Sequence, residues 1–136
     1  MNFDSFLRLL QAQLSGVYIC DELIAEIMDE LKNSGNENTF LSMLRARLSI
    51  LAQLGVRATE HKEFEPIADG IYSLHLANNF NMRILYAFLP DRRPILLTAF
   101  YERGGKKNTS YVGPLKVAKA RFQKAKEEYE NEPYKC

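Results

Sequence analysis

The period of the apolar residues changes once along this chain, and that change limits the folds open to it. Through residue 54 the apolar positions recur at helical spacing. Phe3, Phe6, Leu7, Leu10 and Leu14 form one stripe that stops at Gly16. Leu23, Ile24, Ile27 and Leu31 form a second, with Asp21 as its cap and Asn33-Ser34-Gly35 as its breaker. Phe40, Leu44, Leu48, Leu51 and Leu54 form a third, starting at Asn38 or Thr39. Gly55 suits the left-handed residue that closes this helix, with Val56 supplying the hydrophobic contact. From residue 71 the period becomes two. IYSLHL (71–76) alternates, MRILYAFL (82–89) follows the Asn78-Asn79 turn, and ILLTAFY (95–101) follows Pro94. The last run is apolar on both faces and belongs inside a sheet. VYIC (17–20) offers a short strand before the second helix, on four residues that decide little.

Short links between the strands favour an antiparallel meander. Gly113-Pro114 then opens a final helix with Leu115, Ala118, Phe122, Ala125 and Tyr129 on its inner stripe. The expected fold is α+β: N-terminal helices, a small antiparallel sheet of three to four strands, and a C-terminal closing helix. The 136 residues allow a single domain. It divides into a helical extension (1–36), a core (37–130) and a frayed tail (131–136). The segment EHKEFE, with His61, reads as a linker.

Charge locates the candidate function. The net charge is +1, but residues 83–126 carry eleven basic side chains against Asp91 and Glu102. Such a stretch is the mark of a surface for polyanions, and the plain alternative is a solvated basic face. Its centre, YERGGKKNTSY (101–111), has Gly-Lys chemistry but no nucleotide loop. Phe100 stands where the first glycine of that signature belongs, and Lys107 follows Lys106 where Ser or Thr is needed. Cys20 and Cys136 are far apart and lack metal-ligand spacing. No apolar run approaches ~20 residues, and Asp4, Arg8 and Gln11 interrupt the first leucines. A reduced, cytoplasmic chain with no membrane partner is expected.

The order "LAQLG", "FEPIADGIYSLH", "NMRILYAF", "ILLTAFYERGGKK", "AKARFQKAKEEYE" resembles the RelE/ParE-type toxin superfamily in its HigB-like, phage-associated branch. The resemblance covers roughly residues 37–130. It implies a small antiparallel sheet with helices packed on it. It also implies a ribosome-dependent endoribonuclease that cuts mRNA, neutralised by a cognate antitoxin, often of helix-turn-helix type. The basic loop and strand faces would hold the RNA. Gyrase-directed toxins belong to the same superfamily, and a catalytically decayed binding module is the alternative from another class.

The site is partly rewritten. The family pattern Gly-Leu-Tyr-Glu-Leu-Arg reads here Gly70-Ile71-Tyr72-Ser73-Leu74-His75, and a usual lysine appears as Glu65. The lysine pair is displaced to Lys106 and Lys107, while Arg83 is kept, with Tyr86 three residues on. Cleavage by 2′-hydroxyl attack needs a proton acceptor, cations for the phosphorane and a proton donor, and no metal or other cofactor. Arg83, expected as an exposed strand arginine, is the candidate phosphate ligand, against the alternative of a structural arginine paired with an acid such as Glu63 or Asp69. His75, whose ordinary pKa lies near neutrality, is the candidate proton-transfer group. Lys106, Lys107 and Arg103 would neutralise phosphates. Tyr101 and Tyr111 would stack on bases or pack at the loop root, and Lys116 and Lys119 would extend the RNA surface.

Overall fold

In the computed structural model the described residues are Ser5, 17–31, 37–76, 82–101 and 112–131. The predicted helix over 3–14 and the Asn78-Asn79 turn lie outside them. The elements run β1 (Tyr18–Ile19), α1 (Asp21–Leu31), α2 (Glu37–Leu54), a 3-10 turn (Gly55–Glu60), β2 (Phe64–Ala68), β3 (Ile71–Leu76), β4 (Met82–Phe88), β5 (Pro94–Tyr101) and α3 (Val112–Asn131). The class is α+β, as the change of period requires.

The sheet is larger than expected and it is mixed. Five strands stand in the order β1-β5-β4-β3-β2. The meander β2 to β5 is antiparallel, and β1 pairs parallel with β5 through Tyr18↔Ile95 and Ile19↔Leu96. Two strands account for the correction. β2 begins inside the supposed linker, where Glu63, Glu65 and Pro66 hide the alternation. Proline is tolerated because β2 is an edge strand. β1 is two residues long, and its pairing crosses some 75 residues of chain, a partnership that no local pattern announces. β5 is interior, as its two apolar faces demand.

Turn chemistry sets the meander. Asp69 and Gly70 both take positive φ, 53° and 80°, and Ala68 pairs with Ile71 across them. This is the type I′ geometry that matches strand twist, and Asp-Gly suits it because glycine has no Cβ to clash. Gly55 has φ 56° and closes α2 as expected. Val56, however, remains 56% exposed, because the chain continues into the 3-10 turn and buries Ala58 instead.

Both faces of the sheet are covered. On one side Leu23, Ile24 and Ile27 of α1 and Phe40, Leu44, Leu48 and Leu51 of α2 pack on Phe64, Leu74, Leu76, Met82, Ile84, Tyr86 and Leu96. On the other side α3 lays Ala118, Leu115, Phe122, Ala125 and Tyr129 against Ile71, Leu85, Ala87, Ile95 and Leu97. The predicted stripe of α3 is therefore the one it buries. Residues 17–31 contribute both a strand and core side chains to this fold.

Polar side chains take over from β1 where it ends. The Cys20 N–H donates to Leu96 O at 3.1 Å. Beyond that point the Arg121 guanidinium of α3 donates to Leu97 O (2.8 Å), and the Ala99 N–H and Thr98 hydroxyl donate to Glu26 Oε1 of α1 (3.3 and 2.9 Å). Arg121 and Glu26 are themselves paired through two nitrogens and two oxygens (2.9 and 3.0 Å). One ion pair thus ties both helix layers to β5.

Candidate functional site

The strand register assembles the site residues. His75 of β3 stands directly opposite Arg83 of β4, and Arg83 stands opposite Phe100 of β5. Glu65 of β2 stands opposite Ser73. Cross-strand partners share a face, as do residues two apart on one strand. Glu65, Ser73, His75, Arg83 and Phe100 therefore occupy one face, the one that carries α3 further along. They lie at the end of the sheet where β3 stops, β4 starts and β5 runs out at Tyr101. The basic segment 102–111 follows Tyr101 in sequence and lies outside the described residues.

Arg83 is buried, with 5% of its surface exposed. This corrects the picture of an exposed strand arginine. β4 is the middle strand, with neighbours on both sides, so its side chains meet protein on either face. Its Nη1 donates to Glu65 Oε1 at 3.2 Å. The acid is Glu65 rather than Glu63 or Asp69, reaching Arg83 diagonally across β3 from its place opposite Ser73. The pair is lopsided: the Arg83 side chain is 6% exposed and that of Glu65 40%. A desolvated guanidinium keeps its charge and presents a planar fork, which suits a tetrahedral oxyanion. His75 is half-buried. Its backbone N–H donates to Glu63 O at 2.8 Å, and its carbonyl accepts from Arg47 Nε at 3.3 Å, which fix the end of β3.

The basic count of the sequence is partly spent inside the fold. Of the eight described basic residues between 83 and 126, four are ion-paired: Arg83 with Glu65, Arg93 with Asp91, Lys119 with Asp69, and Arg121 with Glu26 and Glu22. Asp91 lies within that stretch. Glu65, Asp69, Glu22 and Glu26 come from elsewhere, which a count along the chain cannot show. Glu26 most of all, with burial opposing it, holds the Arg121 pKa above the ordinary arginine value. Arg92, Lys116 and Lys124 are exposed, and Lys126 lies 4.6 Å over the Phe122 ring.

Some predicted residues are not brought together. Lys119 holds Asp69 at the β2–β3 turn, the opposite end of β3 from His75 and about 17 Å along the strand. Tyr101 ends β5, but its side chain, like Arg103, Lys106, Lys107 and Tyr111, lies outside the described residues. Tyr86 is fully buried on the other face, its ring stacked on Tyr72 at 5.4 Å, so it serves the core. An apolar groove of roughly 370 Å³ between Leu54, Val56, Phe88 and Leu89 sits at the far end of β4. Among the described residues no cluster of His, Cys, Asp and Glu could hold a metal ion, and no helix is long and apolar enough to cross a membrane.

Glu65 was legible as a rewritten site position, but its pairing with Arg83 was not, because the sequence places it in a supposed linker rather than on a strand. The strand pattern of IYSLHL and MRILYAF put His75 and Arg83 on strands, but their direct opposition depends on register. Comparison with known proteins found no matching family, no matching curated protein and no matching solved structure.

Proposed function

We propose that this chain is a RelE/ParE-type toxin that cuts mRNA on the ribosome. The observation that carries this reading is the direct opposition of His75 and Arg83 on one sheet face, at the end of the sheet where β5 reaches Tyr101. A phosphodiester placed there meets a fixed cation and an imidazole together. Arg83 holds the non-bridging oxygens and stabilises the phosphorane. His75 moves the proton, and the 2′-hydroxyl is the nucleophile, so the bond to the 5′-oxygen breaks without metal. Arg103, Lys106, Lys107 and Lys116 neutralise neighbouring phosphates, and Tyr101 and Tyr111 stack on bases. The cognate antitoxin masks this face with an acidic or helical segment. In the complex, Arg83 and its strand neighbours should be protected from hydrogen exchange.

The Glu65–Arg83 pair favours a second reading, a decayed binding module whose arginine has become structural. Controlled expression of the chain alone, with mapping of mRNA 5′ ends, separates the two. The toxin reading expects growth arrest with cuts confined to translated frames, and His75→Ala slower by about 10²–10⁴-fold. Arrest without cuts points to gyrase. Absence of any phenotype supports the binding module.

A further inference from the structure

We infer that Glu65 is a built-in substitute for the phosphate: its carboxylate occupies Arg83 in the free protein and yields that place to an RNA phosphodiester. The inference rests on the functional reading above and adds a regulatory element to the same site.

Three observations carry it. The first is the unequal burial of the pair, 6% for the Arg83 side chain and 40% for that of Glu65. Only the carboxylate has a route into water. The guanidinium is fixed in the middle strand, and a buried cation that gives up an anionic partner is disfavoured. The carboxylate is therefore held until another anion arrives, so the step is an exchange rather than an opening. The second is the contact itself. Nη1 and Oε1 stand 3.2 Å apart, longer than the ~2.7–2.9 Å of a tight charge-assisted bond. A carboxylate and a phosphate present the same pair of oxygens to the fork, and the phosphate carries its charge without a long flexible stem.

The third observation is where Glu65 stands. β2 is an edge strand, Pro66 follows immediately, and the register with β3 shifts between Pro66 and Ala68. Proline cannot donate to a ladder and a register shift locally loosens one. The partner that must move is thus on an edge strand with proline beside it. His75 stands opposite Arg83, so an anion that replaces Glu65 lands beside the imidazole. The Glu65 carboxylate then bears on both the cation and the approach to His75.

The test is binding of a short oligonucleotide with 2′-O-methyl ribose, which cannot undergo self-attack, measured by fluorescence anisotropy at fixed salt. Glu65→Gln should bind about 10-fold tighter than the parent chain, because the competing anion is gone. Glu65→Asp keeps the charge but withdraws the carboxylate by one methylene, and it should also gain. Glu63→Gln removes a nearby charge without touching Arg83 and sets the size of a general electrostatic effect. In an Arg83→Gln background the gain from Glu65→Gln should vanish. Equal gains for the Glu63 and Glu65 variants, or a gain that persists without Arg83, would overturn the inference. So would cleavage lost in Glu65→Gln with unchanged binding, which would make the carboxylate a proton carrier. Melting temperature gives a second readout: the oligonucleotide should raise that of Glu65→Gln more than that of the parent. Tighter binding in cells that show no message cleavage would leave this inference standing and sink the toxin reading. Cleavage with no difference in binding would do the reverse.

Discussion

Tyr86 is the clearest single-residue imbalance in the core. Its ring is enclosed by Tyr72, Phe64 and Phe88, and its hydroxyl is buried with no hydrogen-bond partner among the described residues. Burial, and then the neighbouring Tyr72, hold its pKa well above the ordinary tyrosine value. A buried hydroxyl with no partner forfeits the bonds it had with water. Tyr86→Phe should therefore be neutral or stabilising by up to about 1 kcal/mol in urea unfolding. A loss of more than that would mean the hydroxyl is satisfied. Asp91 behaves in the opposite sense. Burial alone would raise its pKa, but the Arg93 N–H (3.0 Å) and guanidinium outweigh that and bring it below the usual 3.8. A carboxylate whose pKa is depressed on folding stabilises the fold above its unfolded value and loses that contribution as pH falls through the folded value. Asp91→Asn should melt lower than the parent at pH 6, and the gap should close as the pH drops below about 3.8. A gap independent of pH would assign the effect to turn geometry alone.

Among elements, the joint between α1, β5 and α3 concentrates the polar contacts. Glu26 accepts from Thr98, Ala99 and Arg121, and Arg121 also reaches Leu97 O and lies 3.6 Å from Glu22. Removing either partner takes away the other's main counter-charge and leaves one β5 backbone group, Leu97 O or Ala99 N–H, without its side-chain bond. Arg121→Ala and Glu26→Ala should each cost roughly 1–3 kcal/mol, discounted for partial exposure. The double variant should cost clearly less than the sum, because each single change already removes the shared pair. Strictly additive losses in a denaturant series would show that the two side chains act separately. The turn at the other end of the sheet is anchored differently. Arg93 lies over the Tyr18 ring at 4.4 Å and donates to its hydroxyl, joining the β4–β5 turn to β1.

For the molecule as a whole, the layers depend on each other. The two helices before β2 and the one after β5 bury opposite faces of the same middle strands, so β4 has no exposed side to spare. Leu23 and Ile27 are fully buried although they precede the region that carries the family resemblance. A fragment covering 37–131 should therefore fail to fold alone. It would lack β1 and expose the apolar surface that α1 covers, and each large buried side chain lost costs about 2–5 kcal/mol. Circular dichroism and a cooperative melt check this; a cooperative melt of that fragment near the parent temperature would refute it.

What the residues determined by themselves was local. Helical spacing placed α1, α2 and the buried stripe of α3 because each pattern repeats within a few turns. Alternation placed β3, β4 and β5 for the same reason, and Gly55 was legible as a left-handed closing residue. Tertiary structure decided what depends on distant partners. It recruited β1 and β2, since a two-residue strand and a charged, proline-bearing edge carry almost no periodic signal. It set the register that brings His75 against Arg83, and a one-residue slip would have put them on opposite faces. It also decided which charges are available: Glu65, Asp69, Glu22 and Glu26 reach across the sheet to basic residues that a linear count had left unpaired. Periodicity is a property of neighbours in the chain, whereas register and ion pairing are properties of neighbours in space.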